Sequence, residues 1–157
     1  MSAPTDHDLP PLTATPPGLY RHYKGGWYEV LDTVRCSETL LGMTLYRALY
    51  GEHGLWVRPA AMFAETGLFE GRTQRRFTPV DWRTLTPTDL PTAHALVAHV
   101  SRLLAEAHMA HRPPPPPPTT CCSRGCNGCV WEGFYDALGY WRDDSVALLT
   151  PTPTGAT

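Results

Sequence analysis

The chain has 157 residues, 42% of them apolar, and a formal net charge of −2 with histidine neutral. That length suits one medium domain or two small ones, and the near-neutral charge argues against a nucleic-acid protein driven by bulk electrostatics, though not against a local basic patch. No apolar run approaches the ~20 residues that cross a bilayer, and the N-terminus lacks the basic and apolar regions of a signal peptide. The expectation is a cytoplasmic protein with no membrane partner, in which reduced thiols are the default.

Residues 1–17 are rich in Pro, Thr, Ala and Asp. They carry few large apolar side chains to offset the entropy of ordering, so a disordered lead-in is expected. Asp6-His7-Asp8 reads as solvated tail, since nothing there would hold a metal geometry.

From Gly18 the composition changes. Aromatic and β-branched residues flank Lys24-Gly25-Gly26, with Tyr20 to Tyr23 on one side and Trp27 to Leu31 on the other, which predicts a hairpin. Met43 to Tyr50 is a second strand, Gly51 to Gly54 a turn, and Leu55 to Arg58 the returning strand, ended by Pro59. Ala60 to Ala64 suits a short helical turn. Leu68-Phe69-Glu70 and Arg75 to Val80 flank Gly71 and predict a last hairpin. Short strands at this spacing mean a small antiparallel barrel or sandwich. About 60 residues is close to the lower size limit for independent folding, and the many Tyr and Trp side chains supply large buried area per residue.

These residues resemble a bacterial family. Tyr20-Arg21-His22-Tyr23-Lys24-Gly25-Gly26-Trp27-Tyr28-Glu29-Val30, Ser37-Glu38-Thr39, Tyr46-Arg47-Ala48-Leu49-Tyr50 and Trp56-Val57-Arg58-Pro59-Ala60-Ala61-Met62-Phe63 are similar, in that order, to the domain of unknown function 1653. The resemblance implies an SH3-like barrel over 18–80 with no assigned reaction. Cys36 stands where the family is expected to carry His. On the family-like motifs, Tyr23, Lys24, Glu38, Thr39 and Arg58 are the candidate binding residues for an unknown ligand or protein.

A helix is expected over 86–112. Thr86 to Asp89 is a cap cluster, Pro91 suits the first turn, and Leu96, Val97, Val100, Leu103, Leu104 and Ala107 make one apolar stripe. His94, His99, His108 and His111 surround it. His108 and His111, at i,i+3, could share a metal, but a solvated helix C-terminus is the simpler reading. Six prolines, Pro113 to Pro118, then form a polyproline II rod, about 19 Å long at ~3.1 Å per residue, in a linker over 113–120. The rod reads as a spacer, with an SH3 or WW ligand as the alternative.

Four of the five cysteines fall within nine residues, as Cys121-Cys122, Cys126 and Cys129. Cys126 and Cys129 form the two-residue chelate of zinc knuckles and iron–sulfur sites. Trp131, Phe134, Leu138 and Trp141 follow on one helical face. A module this short has too little core to fold alone. The expectation is therefore a metal-binding knuckle over 121–145 whose ligands are Cys121, Cys122, Cys126 and Cys129, holding zinc or an iron–sulfur cluster. Because adjacent cysteines diverge in extended chain, three thiolates with His111 are the alternative ligand set. Thiol redox is a further alternative, since Cys129 lies at a helix N-terminus, although no βαβ pattern surrounds the pair. Inert thiols in a tail are the plain alternative. The proline-rich lead, Cys121-Cys122, Cys126, Cys129-Val130-Trp131 and Tyr135 resemble the N-terminal segment of the oxidoreductase-like family, whose name implies redox chemistry without naming a reaction. Residues 146–157 are expected to be a disordered tail.

The expected fold class is mainly β with helices: the small antiparallel SH3-like barrel, the helix, the polyproline linker and the Cys-rich helical knuckle. The leading functional expectation is a non-enzymatic two-module protein. A redox or electron-transfer accessory and a nucleic-acid adaptor are the other readings.

Overall fold

The computed structural model describes residues 5, 8–120 and 129–151. The chain divides after Pro79 into two compact units.

The first unit is built on an antiparallel meander. β1 (Gly18–His22), β2 (Trp27–Arg35), β3 (Gly42–Ala48) and β4 (Leu55–Pro59) pair in sequence. β7 (Phe77–Val80) lies beside β1, so the sheet order is β4-β3-β2-β1-β7. Gly25, at φ +96, makes the β1–β2 turn where a side chain would be strained. Between β4 and β7 lie the four-residue helix α1 (Ala60–Phe63) and a two-stranded ribbon, β5 (Thr66–Phe69) with β6 (Arg72–Arg75), turned at Gly71.

Alternate residues of the sheet share a face. Tyr28 and Val30 of β2 sit opposite Ala48 and Tyr46 of β3, and the core forms on that face from Tyr20, Val30, Tyr46, Phe63 and Phe77. Phe63 and Phe77 stack with centroids 4.0 Å apart, and Tyr20 meets Phe63 edge-on at 5.3 Å. The last predicted hairpin is corrected here. The strand returning from Leu68-Phe69 is Arg72–Arg75, and Phe77–Val80 leaves the ribbon to join the main sheet, because Phe77 is a core ring.

The disordered lead-in is also corrected over its second half. The Thr15 hydroxyl bonds the Thr44 hydroxyl at 2.6 Å in a buried position, and the Thr15 amide donates to Thr33 Oγ1 at 2.8 Å. Tyr20 donates its phenolic proton to the Pro16 carbonyl, and Arg35 donates to that of Pro10. Leu12 packs over Gly42, 3.3 Å from where a Cβ would stand. Counting large apolar side chains underrates this segment, since polar bonds to sheet residues hold it as a strap.

The second unit holds α2 (Leu90–Glu106) and α3 (Val130–Leu149), which pack on each other. Asp89 caps α2 by accepting the Thr92 amide at 2.8 Å, with Pro91 in the first turn. Leu96, Val100 and Leu104 of the predicted stripe are buried. So is His99, which meets Trp82 edge-on. α2 is shorter than the expected 86–112: Ala107 is its C-cap, and His108 follows at φ +54. His108 and His111 therefore share no helical face. α3 buries Phe134, Leu138, Trp141 and Ser145 and runs through Leu149, four residues past the expected end of the module.

Residues on both sides of the proline run belong to this one unit. Its start is fixed to α3: the Trp141 indole donates to the Arg112 carbonyl at 2.9 Å, Arg112 pairs with Asp144, and His111 stacks on Trp141. The helices before and after the prolines are thus packed together rather than held apart. No helix of the described residues is long and apolar enough to cross a membrane.

Candidate functional site

The residues with chemistry to offer fall in two places, one in each unit. In the β unit they gather around the β1–β2 turn. The Tyr23 amide donates to the Arg76 carbonyl, and its ring stacks on Phe69 at 4.6 Å. Phe69 also lies under the Arg76 guanidinium at 4.8 Å, and Arg76 is tied to Glu65. Lys24 places its ammonium 5.9 Å from the Tyr23 ring. His22 lies among Tyr23 at 4.3 Å, Phe77 at 4.9 Å and Tyr28 at 6.3 Å.

Charge and burial set the protonation here. Burial first, then the positive charges of Arg76, Arg58 and Lys24, hold the His22 imidazole below its ordinary range, with Glu70 opposing. Its Nδ1 accepts the Lys24 amide at 3.2 Å, which assigns the ring proton of the neutral form to Nε2. The Tyr28 and Tyr50 hydroxyls bond each other at 2.6 Å, and burial and that bond push the Tyr28 phenol well above the usual tyrosine range. Arg58 completes the rim. Its guanidinium sits 5.9 Å from the Phe77 ring, and its Nε is buried with no hydrogen-bond partner. Trp56, two residues earlier on the same face of β4, is 60% exposed.

The predicted binding set is divided by this geometry. Tyr23, Lys24 and Arg58 share the rim. Glu38 and Thr39 lie in the β2–β3 loop, beyond the Arg35–Gly42 pair, whereas the β1–β2 turn lies beyond the Arg21–Trp27 pair. The nine residues of β2 separate the two ends by about 27 Å. In that loop the Thr39 hydroxyl, then the Thr39 and Glu38 backbones, hold the half-buried Cys36 thiol below its ordinary range. Sequence reasoning missed His22, Tyr28, Tyr50, Trp56 and Phe69 as rim residues. The alternation on either side of Gly25-Gly26 was the available signal, but aromatics in so small a unit were assigned to its core.

In the helical unit, Cys129 is the N-cap residue of α3, and its thiol makes no capping hydrogen bond. It is part-exposed and free, and its charge is one cause, after burial and Asp89, of the raised Tyr135 phenol. Cys121, Cys122 and Cys126 lie outside the described residues, and among the described residues no three His, Cys, Asp or Glu side chains gather as a metal site. His111 is not beside Cys129. Its stacking on Trp141 places it twelve positions along α3 from Cys129, about 18 Å at the helical rise. The donor chemistry that remains, thiolates at short spacing with one sulfur uncommitted at a helix start, fits zinc or an iron–sulfur cluster.

A part of each unit matches a known protein family. Residues 18–79 match the family described as a protein of unknown function, DUF1653, and residues 108–148 match the N-terminal segment of the oxidoreductase-like proteins. A crystal structure of a DUF1653 protein from Bordetella bronchiseptica is 35% identical over 46% of this chain and 94% of its own, with a TM-score of 0.41. One of these family matches falls in each unit: the DUF1653 match in the β unit and the oxidoreductase-like match in the helical unit. No curated protein matches it.

Proposed function

We propose that the protein is a non-enzymatic, two-module binding protein of the cytoplasm. In this reading the sheet and its ribbon make an SH3-like barrel that grips a ligand or protein partner at the rim of His22, Tyr23, Lys24, Trp56 and Arg58. The cysteine segment is a structural knuckle whose thiolates, Cys121, Cys122, Cys126 and Cys129, hold zinc. The observation that carries the binding role is Arg58, whose buried Nε has no partner beside an exposed tryptophan. A buried donor left unmade costs roughly 1–3 kcal/mol, which a bound acceptor would recover. The knuckle rests on donor chemistry and on the uncommitted Cys129 thiol at the start of α3. Bound zinc would supply folding free energy, on the order of 10 kcal/mol for a structural site.

Metal content and visible absorbance of protein purified anaerobically, without a chelating tag, test the knuckle. One zinc per chain and no colour is the expected result. Iron with sulfide and a brown colour would replace it with the electron-transfer reading, and no metal at all would leave free thiols and remove the knuckle. The aromatic and cationic rim also suits stacking on bases. Salt-dependent binding of single-stranded RNA or DNA, lost in Arg58→Gln, would make the nucleic-acid adaptor the better description.

A further inference from the structure

A cleft opens in the β unit away from the rim. Its volume is about 330 Å3, at the lower end of the range for small-molecule sites. Four parts of the chain build it. The strap from Thr13 to Pro16 forms one wall. Ala60, Ala61 and Ala64, on and just after α1, line it as well, and their short side chains leave the space open. The buried rings of Tyr20, Phe63 and Phe77 line the interior. Arg75, at the end of β6 and exposed, stands over the mouth.

Two hydroxyls of the cleft are already committed. The Thr15 hydroxyl is bound to Thr44, and the Tyr20 hydroxyl to the Pro16 carbonyl. Arg75 pairs with no carboxylate among the described residues, whereas the neighbouring Arg76 is tied to Glu65. Arg75 nonetheless acts on the cleft interior: burial raises the Tyr20 phenol, and the Arg75 charge opposes that rise. The guanidinium is therefore within electrostatic reach of the phenol at the wall.

We infer that this cleft binds a small organic monoanion with a flat apolar body, an aromatic carboxylate in kind, its ring against Phe63, Phe77 and Tyr20 and its carboxylate at Arg75. An apolar chamber with a single unpaired cation at its opening has that complementarity. A guanidinium meets a carboxylate with two parallel hydrogen bonds, and the rings offer edge and face contacts to an aromatic body. A bare phosphate would leave the apolar walls unused. The inference is separate from the rim and from the knuckle, and it stands or falls without them.

Phenylacetate and its neutral amide are the probes, titrated into the full chain up to ~10 mM, the weak limit for a ligand of about ten heavy atoms. Amide and methyl NMR shifts report the site. The expected result is saturable shifts at Ala60, Ala61 and Ala64 with the acid, and binding about fivefold weaker with the amide, the size of a charge-assisted contact at a solvent-exposed rim. Arg75→Gln, at an exposed position, is expected to make acid and amide bind alike. Ala61→Leu, which fills the cleft, is expected to abolish both. Equal binding of acid and amide by the unmodified protein, undiminished acid binding by Arg75→Gln, or no saturable shift at the alanines would overturn the assignment.

Discussion

The β unit and the helical unit are held by different physics. The β unit rests on a set of aromatic rings, with Phe63 meeting Phe77, Tyr20 and Tyr46 and Tyr46 meeting Phe77, and on a strap bound by hydroxyls and carbonyls. The helical unit rests on two amphipathic stripes and on one anchor, Trp141, which takes up Arg112 and His111. The first keeps its cations and phenols at the rim of a rigid sheet. The second leaves its distinctive chemistry, the thiol of Cys129, at a helix end. The difference teaches where function can sit in a small chain: around a well-packed core in one unit, and at the margin of a modest one in the other.

The largest expected effect comes from the ring core. Phe77→Ala removes the ring stacked 4.0 Å from Phe63 and is expected to cost about 3–5 kcal/mol. Hydrogen exchange should show lost protection in β1 to β4, with α2 and α3 amides retained. Equal loss in α2 and α3 would break the comparison by showing that the two units unfold together. Asp89→Ala deletes the α2 cap and is expected to cost about 1 kcal/mol, read as faster exchange confined to the first turn of α2 and to what packs on it.

The smallest effect is a pH dependence. The folded His22 imidazole titrates below its ordinary value of 6.5. Between those two values the unfolded chain takes up a proton that the folded chain does not, so stability rises with pH through that window and levels off above 6.5. His22→Gln is expected to flatten that rise in denaturation midpoints measured from acid to neutral pH. An unchanged profile would assign the dependence to other groups and loosen the link between His22 and its cationic neighbours.

Much of the fold was legible because it is written locally. Gly25-Gly26 and Gly51 to Gly54 mark turns through glycine's conformational range, and Asp89 with Pro91 marks a helix start by capping chemistry. Each needs only neighbours within a few residues. The rim was half legible: Tyr23, Lys24 and Arg58 were found, but Glu38 and Thr39 were grouped with them although one strand length lies between. Proximity along the chain says nothing of which end of a strand a loop occupies. The sequence pairs Phe77 with the ribbon because it shows two strand-like stretches without showing which partner each will find.

By itself the sequence determined most of the strand and helix elements, the two family resemblances and the chelating spacing of the thiols, all of which depend on residue type and short-range order. Only the tertiary structure decided that residues 10–16 bind the sheet as a strap. It also decided that His111 stacks on Trp141, and that three alanines, two phenylalanines and Arg75 line one cleft. Those outcomes join residues far apart in the chain. Their physical basis is the packing of side chains and the satisfaction of buried polar groups, which are settled only when strand register and helix faces are settled together.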